Sequence, residues 1–298
     1  MHLSGLHLLL TYQCVLQCDH CFTWGSPWQK GVMSLTTIRH ILDQACELGT
    51  ITTIYFEGGE PFLYYSTLLQ GVQEAARLGF KTGIVTNAFW AISEEDGIAA
   101  LAPFAGLVQN LTISSDLFHW DEANSRRARN GIAAANRFGI PVGTISIAQP
   151  DRVIPSDIAG QIPLGQSQVM YRGRAAVKLA NLLPGLPWET FTACPHENLI
   201  EPGRVHVDSF GNVHICQGIS LGNLHQVSLK EICASYRPGD HPITGPLVSG
   251  GPAELVRRYG LPREEDYVDA CNLCYSARVA LRARFPEVLG PDQIYGVF

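Results

Sequence analysis

GLHLLLTYQCVLQCDHC, residues 5–21, opens with an apolar run and closes with three cysteines. Residues 5–12 are too few for a core helix and read as a buried strand. That strand runs directly into Cys14-x3-Cys18-x2-Cys21. The next 120 or so residues repeat one pattern of short apolar runs and helical periodicity. A helix is predicted over 34–48, where Ser34 or Thr36 can cap it. Ile38, Ile41, Leu42 and Ala45 share a face, and Gly49 ends it. Strands at 51–57, 81–86, 107–114 and 140–147 alternate with helices at 65–78, 93–102 and 121–138. A less regular segment and a sixth strand at 167–171 follow. Such alternation predicts a parallel sheet with right-handed crossovers, a partial parallel (β/α)6 TIM-like barrel. In such barrels the loops after the strands form the active-site face, so the cysteine loop is placed there.

Beyond about residue 180 the pattern changes. Pro184, Gly185 and Pro187 punctuate a loop, and a hairpin is expected from Arg204–Asp208 and Asn212–Cys216 around Gly211. The stretch YRPGDHPITGPLVSGGP (236–252) reads as a long surface loop, and a last helix covers 272–284. Two units are expected, 1–180 and 181–298.

Composition narrows the function classes. The 298 residues carry a net charge of −6, which offers no general attraction to nucleic acid or to anionic membrane. The apolar run Gly97–Val108 contains Pro103 and is too short to span a bilayer. Met1–Tyr12 lacks a basic segment and a cleavage site, so a cytoplasmic protein is expected. The nine cysteines are odd in number and several are tightly spaced, which favours metal over disulfides. Three clustered thiolates can hold a soft metal centre. Four would close a 4Fe–4S cube, whereas three leave one iron open to a further ligand. A zinc site completed by His20 or a distant residue fits the same spacing. Cys46 and Cys233 fall inside predicted helices and read as core. Arg126, Arg127 and Arg129 read as a solvated helix face.

The CVLQCDHC motif after a first strand resembles the hallmark of the radical S-adenosylmethionine (SAM) superfamily, with His20 as the aromatic before the last cysteine. The resemblance spans roughly residues 5–175. It implies a catalytic 4Fe–4S cluster on Cys14, Cys18 and Cys21, whose open iron chelates SAM. An electron then cleaves the sulfonium bond and releases a 5′-deoxyadenosyl radical. Glu57-Gly58-Gly59-Glu60-Pro61 ends the second strand, where two glycines permit close backbone approach. The resemblance places Gly58, Gly59 and Glu60 against the SAM ammonium. It gives Thr86-Asn87 the place of the family's T-N-G stretch, with Ala88 for the glycine. Ser114-x-Asp116 takes the S-x-D position that meets the SAM ribose or carboxylate. The residues alone allow turn or helix-cap roles for each.

Cys194, Cys216, Cys271 and Cys274 remain as a second set of four, with FGNVHIC leading into Cys216. The layout resembles the SPASM/twitch appendage of many radical SAM proteins. It has enough thiols for one auxiliary 4Fe–4S cluster, as in the shorter twitch form. Arg172-Gly173-Arg174-Ala175 resembles the G-R-A stretch preceding such domains. A zinc knuckle is the plainer reading of the four cysteines. His196 and Glu197 beside Cys194, and His214 beside Cys216, stand close to this set.

The resemblance implies an oxidoreductase or maturase that modifies a peptide or polar small metabolite, served by an electron donor such as flavodoxin or ferredoxin. With the first cluster starting at residue 14, no N-terminal peptide-recognition domain is expected. This favours a small substrate or a separate recognition partner. The rival readings are a non-catalytic zinc-binding scaffold and an iron–sulfur electron carrier.

Overall fold

The computed structural model describes residues 1–122, 125–150 and 165–297. Its first half alternates as the sequence predicts. The elements are β1 (Gly5–Thr11), α1 (Leu35–Leu48), β2 (Thr53–Gly58), α2 (Tyr65–Arg77), β3 (Lys81–Thr86), α3 (Glu94–Leu101), β4 (Val108–Ser114), α4 (Arg126–Arg137) and β5 (Val142–Ile147). Ser34 caps α1 by accepting from the Thr37 amide at 3.0 Å. Gly49 ends it in the left-handed region that a side chain disfavours. Ser93 and Asp96 form a reciprocal capping box on α3, which fixes where the chain re-enters the helix layer.

The strands run parallel from β1 to β6 (Gly165–Ser167), which pairs with β5. The sixth strand therefore lies upstream of the predicted 167–171. Most of the irregular segment expected before it falls in 151–164, outside the described residues. Successive strand residues face opposite ways. Leu6, Leu8, Ile54, Phe56, Leu111 and Ile113 point one way and join Ile38, Leu68 and Val72 of the helices in the main apolar core. The alternate positions on β1, β2 and β4 are His7, Tyr55, Glu57, Asn110, Thr112 and Ser114, and these border a cavity. A closed TIM barrel fills that space with branched apolar side chains. Here an open cavity remains, bordered by polar and apolar side chains together.

The C-terminal part adds α5 (Arg174–Lys178), β7 (Leu186–Pro187), β8 (Arg204–Val207), β9 (Asn212–Cys216), β10 (Ile219–Asn223), α6 (Leu229–Ser235), α7 (Thr244–Tyr259), β11 (Asp266–Tyr267) and α8 (Ala270–Leu281). The predicted hairpin is β8–β9, turning at Gly211 with φ 86°. β8 lies parallel beside β1, so one nine-stranded sheet runs β10-β9-β8-β1-β2-β3-β4-β5-β6. The sheet thus carries Cys14, Cys18 and Cys21 in the loop after β1 and Cys216 at the end of β9. A second apolar cluster joins Leu9 and Tyr12 of the first half to Ile215, Leu273 and Tyr275 of the second.

Two expectations need correction. Residues 244–252 are helical rather than loop. Pro246 sits in the first turn of α7, where its missing N–H is harmless. The break expected from the glycines is local, at Gly250 and Gly251. A Cβ on Gly251 would come 2.3 Å from the amide nitrogen of Ala193, so the glycine lets α7 pack on the Cys194 loop. Cys46 is exposed rather than core, because α1 buries the face of Ile38, Ile41, Leu42 and Ala45; Cys233 is buried. Arg126 and Arg129 are exposed, while Arg127 is half-buried. Among the described residues no helix is long and apolar enough to cross a membrane.

Candidate functional site

The loop after β1 carries Cys14, Cys18 and Cys21 to one wall of a cavity of about 360 Å³. Its path is held by backbone bonds: the Cys14 amide donates to Ser26 (3.0 Å) and the Cys21 amide to the Cys18 carbonyl (3.1 Å). Donors surround the sulfurs. The Leu16 and Gly25 amides approach Cys14 and Cys21 at 3.4 and 3.2 Å, and Asn87 Nδ2 lies 3.5 Å from Cys14. Burial pushes the Cys14 thiol up to about 12 and the Cys18 thiol higher still. Without a metal these thiols stay protonated; a bound metal removes the protons outright. The donor set, three sulfurs on a cavity wall with N–H groups on Cys14 and Cys21, fits an iron–sulfur cluster.

Arg174 clamps this loop from the other half of the chain. Its buried guanidinium donates to the carbonyls of Cys18 (2.6 Å) and Gly25 (2.8 Å), and its own amide donates to Cys21 (2.9 Å). Gly173 has φ 62°, and a Cβ there would meet the Phe22 backbone at 2.5 Å. Trp24 Nε1 donates to the Tyr275 hydroxyl of α8 at 3.0 Å, a second tie to the same loop.

Gly58 and Gly59 border the cavity beside the thiols. Their lack of side chains has an internal cause. A Cβ on Gly58 would lie 2.3 Å from the Thr11 carbonyl oxygen, and one on Gly59 would lie 2.1 Å from that of Gln13. The Gly59 and Glu60 amides donate to those same carbonyls at 2.7 and 2.8 Å, lacing the two loops together. Asn87 and Ser114 also border the cavity. Glu60 and Asp116 are buried struts. Glu60 accepts from the Phe62 amide (3.1 Å), the Thr86 hydroxyl (2.8 Å) and the Asn87 amide (2.8 Å). Burial raises its carboxyl to about 7 despite those donors. Asp116 accepts from the Phe118 and Ile147 amides and from His119 Nδ1 at 2.8 Å. Ala88 holds φ 57°, the conformation that suits glycine at this place. His20 packs on Phe118 and His119, and burial drives it down to about 3, so it is neutral.

The deep end of the cavity holds a polar cluster that motif reading missed. Glu57 bridges His206 Nδ1 at 2.7 Å and His7 Nδ1 at 3.1 Å. Arg204 Nη1 donates to His206 Nε2 at 2.7 Å, and Gln217 Nε2 does so at 3.1 Å. His206 therefore keeps its proton on Nδ1, facing Glu57. Burial drives His206 down to about 3 and works against the Glu57 charge too, but the two histidines hold Glu57 well below the usual carboxylate range. Arg204 also reaches Glu197 (3.4 Å), which lies 3.6 Å from Arg172. The available signal was alternation: these polar residues sit at every second strand position in runs otherwise apolar.

Cys194, Cys216, Cys271 and Cys274 converge on a second, smaller cavity. β9 ends in Cys216, and the first turn of α8, capped by Asp269 on the Asn272 amide (2.6 Å), carries Cys271 and Cys274. Burial pushes Cys194 up to about 12 and raises Cys271 and Cys274 as well. Arg172 Nη1 lies 2.9 Å from Cys216 Sγ, and Arg278 borders the same cavity as Cys274. Four thiols and two buried guanidiniums make a donor set that suits an anionic metal–thiolate centre. His196, Glu197 and Arg172 border both cavities. His214 is tied to Asp208 at 3.1 Å, which also accepts from the Tyr12 hydroxyl.

A family model described as the Radical SAM superfamily matches residues 8–150. YydG of Bacillus subtilis (strain 168), whose name assigns it provisionally to peptide biosynthesis, is 27% identical over 139 residues, 46% of this chain and 44% of YydG. The chain thus aligns with less than half of that relative's length. Two solved structures share the fold. Streptococcus suis SuiB bound to S-adenosylmethionine has a TM-score of 0.53 at 14% identity, covering 91% of this chain and 77% of SuiB. BtrN in complex with AdoMet and 2-DOIA has a TM-score of 0.51 at 16% identity, covering 78% and 82%. The family match covers just under half of the chain and spans the strands and loops that carry Cys14, Cys18 and Cys21; the two solved structures share the fold.

Proposed function

We propose that this chain is a radical SAM enzyme that modifies a peptide or a polar small molecule held over the inner face of the sheet. One observation carries the reading. The three clustered thiols, the glycine loop after β2 and a polar His–Glu–His floor border a single cavity. Cys14, Cys18 and Cys21 would hold a 4Fe–4S cluster, which with SAM supplies a 5′-deoxyadenosyl radical that abstracts a substrate hydrogen. Gly58, Gly59, Asn87 and Ser114 border the space SAM would fill. Glu60 and Asp116 serve as struts, fixing the loops after β2, β3 and β4 through buried hydrogen bonds. Donors on the sulfurs favour thiolate over thiol, and Arg174 keeps the loop closed over them.

The cavity's far end suits hydrogen-bonding substrates. Glu57, anionic between two imidazoles, holds His7 through Nδ1; with His206 bonded at both nitrogens, His7 Nε2 is the ring nitrogen that would meet substrate groups. The likeness to YydG favours a peptide, whereas the hydrogen-bonding His–Glu–His end suits a polar side chain or a small polyol. Residues 1–180 would form the catalytic unit. Residues 181–298 would carry a second 4Fe–4S cluster on Cys194, Cys216, Cys271 and Cys274, as an electron acceptor or substrate anchor. A reduced flavodoxin or ferredoxin of the cytoplasm would supply the electron.

The test is anaerobic reconstitution with iron and sulfide, then incubation with SAM and a strong reductant. The expected product is 5′-deoxyadenosine, absent from the Cys18→Ala variant. A brown, iron-loaded protein that binds SAM yet yields none under reduction would sink the proposal, as would a colourless protein that retains only zinc.

A further inference from the structure

Two guanidinium groups lie buried against the second thiol set, and among the described residues only Arg172 has carboxylates close by, Glu197 and Asp269. Arg278 is 2% exposed. It donates Nη1 to the Gln217 carbonyl at 2.8 Å and stands 5.7 Å from the rings of both Tyr275 and Tyr295. Its Nε has no hydrogen-bond partner. Among the described residues it makes no ion pair with a carboxylate; its neighbours are the thiols Cys274, Cys216 and Cys271 and the Tyr295 ring. Arg172 is 5% exposed and donates Nη1 to Cys216 Sγ at 2.9 Å. Its carboxylate partner, Glu197, stands 3.6 Å away and is shared with Arg204. A buried cation without a counterion carries a heavy desolvation penalty, and neutral thiols do not offset it. A 4Fe–4S core held by four thiolates has a net charge of about −2 when oxidised, which two guanidiniums match.

We propose that Arg172 and Arg278 are the built-in countercharges of the second centre and raise its reduction potential. This rests on the reading that the four thiols hold a 4Fe–4S cluster. The reduced cluster is the more negative state, so fixed positive charge favours reduction, and N–H donors on the sulfurs act in the same sense. Arg172 also borders the large cavity. The more easily reduced centre therefore lies across a single side chain from the space assigned to substrate, where an electron acceptor would be useful. Both arginines are positioning residues: Arg172 touches a thiol sulfur, Arg278 borders the thiol cavity, and both act through the cluster.

The experiment uses the full chain with Cys14, Cys18 and Cys21 replaced by alanine, so that only the second centre gives an electron paramagnetic resonance signal. About four irons per chain are expected. Absence of iron in this parent overturns the cluster reading itself, and the countercharge role falls with it. In the same background, Arg278→Met removes the charge with a side chain of similar length, and Arg278→Lys restores it. The expected result is that, at the parent's midpoint, the ratio of reduced to oxidised centre falls at least tenfold in Arg278→Met, a drop of about 59 mV. The Lys variant should recover most of it. Irons lost from Arg278→Met but kept by Arg278→Lys would support the same role, because the cation would then be what holds the thiolates together. An unmoved midpoint in Arg278→Met, or irons lost equally from both variants, would overturn the proposal.

Discussion

Gly59→Ala should cost this protein both stability and its first cluster, for a reason written in the backbone. The residue has no positive φ, so alanine meets no conformational penalty there. Contact decides the outcome. The new methyl would lie 2.1 Å from the Gln13 carbonyl oxygen and 2.7 Å from that of Tyr12, and backbone atoms have no rotamer by which to escape. The loop carrying Cys14 must therefore move away from the loop carrying Gly59. That breaks the Gly59 and Glu60 amide bonds to Thr11 and Gln13, at 2.7 and 2.8 Å. Overpacking costs about 1–3 kcal/mol, and each lost hydrogen bond about 1 kcal/mol. The sum is about 4 kcal/mol, which at ~2 °C per kcal/mol for a chain of this size lowers Tm by about 8 °C. Gly79→Ala is the control. Its φ of 90° carries the conformational penalty, but nothing lies within 4 Å of its new Cβ. It should lose about 1 kcal/mol, or ~2 °C, and keep its iron. Thermal unfolding of the metal-free proteins, with iron counted after anaerobic reconstitution, measures both effects. A Gly59→Ala protein that melts with Gly79→Ala and retains its iron would refute the reasoning.

Arg174→Met should strip two buried carbonyls of their donor and loosen the Cys18–Gly25 segment. The cost is about 3 kcal/mol, read as faster proteolysis within residues 14–28 and weaker iron retention. Arg174→Lys should recover only part, since one ammonium does not span both carbonyls. Acid should unfold the protein partly through the cavity floor. His206 is held near 3 when folded, against an ordinary 6.5, so the unfolded chain binds the extra proton between those values. Stability is full above pH 6.5 and falls as pH drops toward 3. The depressed Glu57 adds a loss in the same direction below its ordinary range. His206→Gln should flatten the pH 6.5–3 limb in denaturant titrations, and an unchanged limb would count against a neutral His206. Ala88→Gly should relieve a left-handed backbone at a position with no exposure, and Tm should rise by 1–2 °C on about 0.5–1 kcal/mol. A fall would mean that burial of the Ala88 methyl in the main apolar core outweighs the strain.

What was legible in the sequence was whatever repeats along the chain or clusters within it. The period-2 and period-3.6 runs gave the first five strands and the four helices between them, because burying one face imposes that periodicity regardless of the function above it. The spacing of Cys14, Cys18 and Cys21 was legible because a single loop supplies all three. Contacts that join distant segments were harder to see. Arg174 reaches Cys18 across 156 residues and His206 reaches Glu57 across 149, and no local pattern encodes either pairing. The β8 edge was missed for the same reason: the hairpin was foreseen, but its parallel docking on β1 is set by Val205 and Val207 entering the core shared with Leu6 and Leu8. Helix α7 was hidden by its own composition. Propensity argues against a helix through Pro246, Gly250, Gly251 and Pro252, yet packing needs one there, with the break where Gly251 meets the Cys194 loop. The glycines of the GGEP turn carry the sharper lesson. Their presence suggested room for a ligand, whereas on one side the approaching atoms belong to Thr11 and Gln13. The same two residues that border the cavity also weld the first two strand-end loops, so a change at either one perturbs the position of Cys14 before it touches any ligand.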